Sequence, residues 1–189
     1  MGQQITDKKL NNRRFRKTEE AILEAFFGNK VVLSARVIAK RAKVSRSTLY
    51  RHHRAVYRIV PDYEEYILDK YKKLIRYLIK NKGIKVKTVY YQTLFFILRN
   101  KTIFKLTVDF NNGETIEKII KRILPKIVDE YKLQKNCEKA LKIYKKEIAG
   151  LIEDWIKNDF VEEERVVLNN IMYLTNTLRR RLMPLTDNN

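Results

Sequence analysis

The chain has 189 residues, and 41 Lys and Arg against 22 Asp and Glu give it a net charge of +19. A hydrophobic content of 44% is enough for a folded core and excludes a wholly disordered chain, while 5 Gly and 3 Pro favour long helices. The single cysteine excludes an internal disulfide framework and a zinc site built from cysteines. We expect an all-helical protein of one domain, or of a small module joined to a larger one.

The distribution of charge predicts a polyanionic partner. Residues 1–60 hold 15 Lys and Arg against 4 acids, whereas residues 61–189 hold 26 against 18. Basic blocks of this kind often contact nucleic acid or anionic membranes. The N-terminus has no apolar segment of the kind that a secretory leader contains. The longest uncharged stretch, residues 88–98, is too short to cross a bilayer, so we expect a cytoplasmic protein without membrane contact.

Residues 1–16 are predicted to form a basic arm in front of the first helix. Thr18 can cap that helix, because its hydroxyl can accept a backbone N–H and the two acids that follow suit the positive end of the helix dipole. Gly28 is expected to end the helix.

Two short helices with a tight link between them are predicted next. Ser34 can cap the first and Ser45 can cap the second, and only residues 42–44 separate them. Helices joined so closely cannot lie antiparallel, so we expect them to cross steeply, as in a helix-turn-helix. The residues spaced to close a three-helix core are Ile22, Phe26, Ile38, Ala42, Val44 and Leu49.

The rest of the chain, residues 59–189, is predicted to form a larger helical domain. Its first helical pattern begins near Val56, with Pro61 either in the first turn or at a kink. The further helices are predicted at about 86–99, 100–109, 114–132, 137–158 and 162–182. The last two carry apolar seams, which can complete the core of one chain or pair with a second subunit; the pattern leaves both open.

The second of the two short helices is the third helix of the chain, and it presents arginine, hydroxyl and aromatic side chains outward. Such a helix can enter a DNA major groove. The runs KTEEAILEAF and IAKRAKVSRSTLYRH closely resemble the DNA-binding domain of the TetR/AcrR transcriptional regulators. The resemblance implies an all-helical fold, with residues 1–58 as the DNA-binding domain and residues 59–189 as the ligand-binding and dimerisation domain. It further implies a homodimeric repressor of double-stranded DNA that a small-molecule effector releases from a palindromic operator.

Carried over by position, the resemblance assigns eight residues to the DNA surface. They are Ser34, Lys43, Arg46, Ser47, Thr48, Tyr50, Arg51 and His52. Arg46 is the leading candidate for base contact, because arginine can bind guanine O6 and N7 with two hydrogen bonds. The basic arm, with Arg13, Arg14 and Arg16, can reach toward the minor groove or the phosphate backbone.

Three positions depart from the pattern of the family. Lys43 stands where the turn normally has glycine, His53 where an aromatic or aliphatic residue is usual, and Val56 where a phosphate-binding lysine is usual. Arg54 and Arg58 can supply the missing charge. These departures keep a second hypothesis open, a TetR-like co-regulator with a degenerate DNA-binding domain that acts through a protein partner.

In the larger domain the resemblance gives weaker indications. The run AGLIEDWIKNDF resembles the start of the family's dimer interface, which predicts a homodimer through the last two helices. Many aromatic residues lie where the family encloses its ligand, and Phe95, Phe96 and Trp155 are our choices for effector contacts.

Metal, cofactor and enzyme functions are not expected. Adjacent helical residues point about 100° apart, so His52 and His53 are predicted not to share a site. The chain has only three serines, all within the predicted helix-turn-helix, and no glycine-rich phosphate loop.

Overall fold

The computed structural model of the chain describes residues 13–27, 33–81, 83–111, 114–133 and 137–182. Within these ranges the secondary structure is helical and contains no strand, which confirms the predicted all-helical class for this part of the chain. None of the helices described there combines the length and the apolarity that a membrane span requires.

The helices are numbered here in chain order. They are α1 (Arg13–Phe27), α2 (Ala35–Arg41), α3 (Arg46–His52), α4 (Ile59–Lys80), α5 (Val86–Arg99), α6 (Lys101–Asn111), α7 (Glu114–Tyr131), α8 (Glu138–Lys157) and α9 (Glu164–Leu182). A short 3-10 turn, Val56–Arg58, precedes α4. Because α4 begins only at Ile59, Pro61 lies in its first turn, where the missing N–H removes no helical hydrogen bond.

The chain divides into two compact units, residues 1–67 and residues 68–189, which we call the N-terminal and C-terminal units. The division falls inside α4, later than the domain boundary predicted after residue 58. Ile59 and Ile67, which are both fully buried, therefore count with the N-terminal unit.

In the N-terminal unit, α1 packs on α2 and α2 packs on α3. Ile22, Ile38 and Leu49 are at most 1% exposed, and burial of each contributes about 1.5–3 kcal/mol to folding. Ala42 is buried as well, as predicted, whereas Phe26 and Val44 are only half-buried.

The start of α1 differs from the prediction. The helix begins at Arg13 rather than at Thr18, so the last residues of the predicted arm are helical. The Thr18 hydroxyl donates to the Arg14 carbonyl oxygen at 3.0 Å, a bond from inside a helix to the preceding turn, so it does not cap the helix. Arg13 and Arg14 are exposed. Residues 1–12, the Arg16 side chain and Gly28 lie outside the described part of the chain.

In the C-terminal unit, α8 packs against α6, α7 and α9, and α5 packs against α6, α7 and α9. The apolar seams of α8 and α9 face this packed interior. Tyr144, Ile148 and Ile152 of α8 are buried, as are Val167 and Ile171 of α9. The sequence left two roles open for these seams. In the structure their buried residues complete the core of one chain.

A chain of buried hydroxyl groups links the helices of this core. The Tyr144 hydroxyl lies 2.7 Å from the Tyr90 hydroxyl and 2.7 Å from Thr175 Oγ1, which also donates to the Ile171 carbonyl oxygen. Burial raises the pKa of Tyr144 to about 12, and it outweighs the hydrogen bonds with Thr175 and Tyr90, which lower that pKa. The network is therefore neutral, and it ties α5, α8 and α9 together with satisfied hydrogen bonds.

Candidate nucleic-acid interface

The turn between α2 and α3 is closed by two backbone hydrogen bonds. The Val44 N–H donates to the Ala39 carbonyl at 2.9 Å, and the Lys43 N–H donates to the Lys40 carbonyl at 3.3 Å. This pattern requires a left-handed residue, and Lys43 has φ of 54°. Lys43 therefore adopts the conformation for which glycine is usual, at a cost of about 1 kcal/mol relative to glycine.

The start of α3 is held by a side-chain cap. Ser45 Oγ accepts the Thr48 N–H at 3.0 Å and lies 2.8 Å from both the Ser47 and the Thr48 hydroxyl oxygens. A helix of seven residues depends strongly on such a cap, whose loss typically costs about 1 kcal/mol. Ser34 precedes α2 as predicted, but its side chain makes no cap hydrogen bond.

The outward face of α3 has the composition predicted from the sequence. Arg46, Ser47, Tyr50 and Arg51 are exposed, while Leu49 on the opposite face is buried. The Arg51 guanidinium donates to Thr48 Oγ1 at 3.0 Å, which orients it along the helix. The exposed face therefore presents two guanidinium groups, a hydroxyl and a phenol on a rigid support.

The charge around this face has one sign. Between Glu24 and Asp62 the sequence contains no acidic residue. Eight described basic residues in this segment are exposed, and they are Arg36, Lys40, Arg41, Lys43, Arg46, Arg51, Arg54 and Arg58. A surface with many cations and no local acid attracts a polyanion, because bound cations release the counterions of its phosphates.

His52 does not lie where the sequence analysis placed it. Its side chain is only 7% exposed, and its Nδ1 lies 2.5 Å from Glu19 Oε2. The ring also stacks on Phe15 of α1, with centroids 4.0 Å apart. The predicted phosphate contact is corrected, because His52 ends α3 on the side that faces α1 and holds the two helices together.

His53 joins the same carboxylate. Its Nε2 lies 2.7 Å from Glu19 Oε1, its Nδ1 lies 3.6 Å from Asp62 Oδ2, and its side chain is fully buried. The two histidines share Glu19, although adjacent helical side chains point about 100° apart, because His53 is extended, with φ of −131°, and leaves the helix. Among the described residues, no group of three or more His, Cys, Asp or Glu side chains could hold a metal ion.

We call Glu19, His52, His53, Asp62 and Arg58 the Glu19 cluster. Burial of Glu19 by itself raises its pKa, but the hydrogen bonds and charges of His52 and His53 outweigh burial and lower that pKa below its usual value. Arg58 Nη2 binds Asp62 Oδ1 at 2.6 Å, so the charge of this arginine is partly balanced by a carboxylate of α4. Sequence analysis missed the cluster because Glu19 lies 33 residues before His52.

The effector candidates on α5 have local partners. The Arg99 guanidinium lies 4.5 Å from the centroid of the Phe95 ring. Phe96 packs against Tyr71 and Phe104, with ring centroids 5.4 Å and 6.1 Å away. Phe96 is thus a core contact of α4, α5 and α6, and Phe95 is covered by a cation.

Trp155 on α8 has different partners. Its indole N–H donates to the Glu162 carbonyl oxygen at 2.9 Å, and its ring meets Phe160 edge-on at 4.8 Å. These contacts fasten the loop between α8 and α9. The three predicted effector residues therefore contact different groups, and the described contacts do not unite them in one pocket.

Comparison with protein-family models, with curated proteins and with solved structures gives no match. The resemblance to the TetR/AcrR regulators therefore depends on the sequence of the segment from α1 to α3 and stays a prediction.

Proposed function

We propose that the protein is a sequence-specific regulator of transcription that binds double-stranded DNA through α3. The observation that carries the proposal is the exposed, acid-free basic face of α2 and α3, which displays Arg46, Ser47 and Tyr50 on a capped helix. A helix of this size fits a major groove, where base edges differ in their donors and acceptors.

Each exposed residue has a role in this proposal. Arg46 reads guanine through two hydrogen bonds, and Ser47 and Tyr50 contact neighbouring bases. Arg51, oriented by Thr48, binds phosphate and fixes the position of the helix on the duplex. Lys43 adds a further cation at the turn.

The proposed regulator acts as a homodimer that reads two half-sites. Exposed apolar side chains on α8 and α9 favour an interface with a second copy at these helices. They are Ile143 (52% exposed), Val166 (42%) and Tyr173 (68%). A Cβ added to Gly150 of α8 would meet no other atom within 4 Å, so another helix can approach closely there. A two-fold dimer binds half-sites about 34–36 Å apart, or one turn of DNA.

Effector binding in the C-terminal unit is proposed to release the DNA. α4 contributes residues to both units, so a change in its position can alter the spacing of the two reading helices. A coupling free energy of about 1–3 kcal/mol is sufficient for such regulation.

Selection from a random pool of DNA duplexes at about 150 mM salt tests the proposal, since weak non-specific binding is suppressed there. The purified protein is expected to enrich a two-fold symmetric motif. Arg46→Ala should lose about 1–3 kcal/mol of affinity and relax the preference at one position of each half-site. Arg76→Ala, which removes an exposed arginine from the part of α4 in the C-terminal unit, is the matched control and should keep the motif.

A folded dimer that enriches no motif would support the second hypothesis, a co-regulator that acts through a protein partner. Val56 favours that hypothesis, because it offers no charge where the family has a lysine, and Arg58 is engaged with Asp62. The co-regulator predicts weak DNA binding that depends on salt but not on sequence.

A further inference from the structure

A basic pocket lies on the C-terminal unit, and its lining contains none of the residues assigned to DNA. It forms where the chain entering α5, the end of α7 and the end of α9 meet, and its volume is about 430 Å³. The residues that line it are Lys85, Lys87, Glu130, Tyr131, Lys132 and Arg179.

The carboxylate of Glu130 is already used by the fold. Its Oε2 accepts the Val86 N–H at 2.8 Å, which caps the first turn of α5, and it lies 3.9 Å from the buried Lys126 ammonium. Glu130 contributes one negative charge to a lining that contains four basic side chains, so the lining has an excess of positive charge. Because like charges held close together repel each other, an anion bound among them is favoured.

Arg179 has an aromatic contact, and Lys132 lies in the turn that ends α7. The Arg179 guanidinium lies 5.5 Å from the centroid of the Tyr131 ring. Lys132 has φ of 50°, and the Leu133 N–H donates to the Val128 carbonyl at 3.1 Å to close α7. Glycine is the usual residue at such a position, so a lysine there carries a conformational cost that a role in binding would explain.

We propose that this pocket binds a small molecule that carries at least two negative charges on phosphate or carboxylate groups. Its volume falls within the range of about 300–1,000 Å³ typical of small-molecule sites. Its four cations converge on one hollow from three parts of the chain, so one compact anion can contact several of them at once. This binding goes beyond the proposed regulation and requires no DNA.

Isothermal titration of the full chain with inorganic pyrophosphate and, separately, with citrate tests the proposal at constant ionic strength. One site per chain is expected for at least one of the two anions, and their relative affinities distinguish phosphate from carboxylate chemistry. The variant Lys87→Gln/Arg179→Gln should bind about tenfold more weakly or worse, because two charge-assisted contacts are lost. The control Lys72→Gln/Arg76→Gln removes the same charges from exposed positions on α4 and should bind like the wild type.

If the variant Lys87→Gln/Arg179→Gln does not fold, Lys132→Gly provides a second test of anion binding. It removes one cation and places glycine in the left-handed position, so anion affinity should fall while thermal stability is kept or raised. The proposal is overturned if neither anion binds, or if the pocket variants bind as tightly as the control. It is also overturned if affinity is lost in Arg46→Ala instead, because the anion would then occupy the N-terminal unit. All these titrations omit DNA, so failure of the proposed regulatory function leaves their interpretation unchanged.

Discussion

The buried side-chain networks described above differ in kind between the two units. The N-terminal unit encloses charge, with the Glu19 carboxylate between His52 and His53. The C-terminal unit encloses neutral hydroxyls, with Tyr144 between Tyr90 and Thr175. A buried carboxylate depends on its partners for compensation of its charge, whereas loss of one neutral hydrogen bond costs less. The unit that carries the proposed DNA surface is therefore the more sensitive to charge and to pH.

The largest effect is expected from Glu19→Gln. The substitution removes the only carboxylate that contacts both histidines, and the N-terminal unit should lose about 3 kcal/mol of stability. Hydrogen exchange of the α1 and α3 amides measures this loss. The single tryptophan, Trp155, belongs to the C-terminal unit, so its fluorescence in urea should report little change.

Glu24→Gln is the matched control, because Glu24 lies on α1 and is exposed. Equal exchange rates in the two variants would mean that the Glu19 cluster does not hold α1 to α3, and the contrast between the units would disappear.

The two units should lose stability at opposite ends of the pH scale. The folded state lowers the pKa of Glu19 from 4.5, so its stabilising contribution is complete above pH 4.5 and is lost as the pH falls through the lower folded value. The folded state raises the pKa of Tyr144 from 10.0 to about 12, so its contribution is complete below pH 10 and is lost as the pH rises toward 12.

Acid should therefore unfold the N-terminal unit first, and alkali should weaken the C-terminal unit. The alkaline loss attributable to Tyr144 is about 3 kcal/mol, since each pKa unit corresponds to about 1.4 kcal/mol. Exchange of the α3 amides and the urea midpoint from Trp155 fluorescence, both followed against pH, measure the two limits. Simultaneous loss of both signals in acid would contradict the assignment of the charged cluster to one unit.

Local patterns were predictable because they depend on neighbours in sequence. The bounds of α5, the burial of Leu49 and the Ser45 cap all follow from spacing and residue type. The Glu19 cluster was not predictable, because it depends on the extended backbone of His53 and on a partner far away in sequence.

Two further features could not be decided from local patterns, for related physical reasons. A threonine in the first turns of a helix can cap it or bond backward within it, and Thr18 does the latter. Apolar seams look alike whether they face the same chain or a second copy, and those of α8 and α9 face their own core. The basic pocket escaped prediction because residues from three separate segments converge there.

A smaller effect is expected from Tyr144→Phe. Loss of the hydroxyl leaves Tyr90 without its partner at 2.7 Å, while Thr175 keeps its bond to the backbone. The C-terminal unit should lose about 1–2 kcal/mol, measured by urea unfolding followed at Trp155. Tyr173→Phe, which removes a hydroxyl from an exposed ring on α9, should cost nothing measurable. If the two variants unfolded at the same urea concentration, the buried hydroxyls would not stabilise this unit.

The smallest effect, from Lys43→Gly, separates stability from DNA affinity. Glycine relieves the left-handed strain but increases the entropy of the unfolded chain, so a net gain of about 0.5 kcal/mol is expected in the N-terminal unit. The lost cation should lower DNA affinity equally for all sequences and reduce the slope of log affinity against log salt by about 1. Lys43→Arg, which keeps both charge and strain, should preserve the slope and the stability of the wild type. Only a cation that neutralises a phosphate contributes to that slope. An unchanged slope in Lys43→Gly would therefore mean that the turn does not contact DNA and that recognition depends on the outward face of α3.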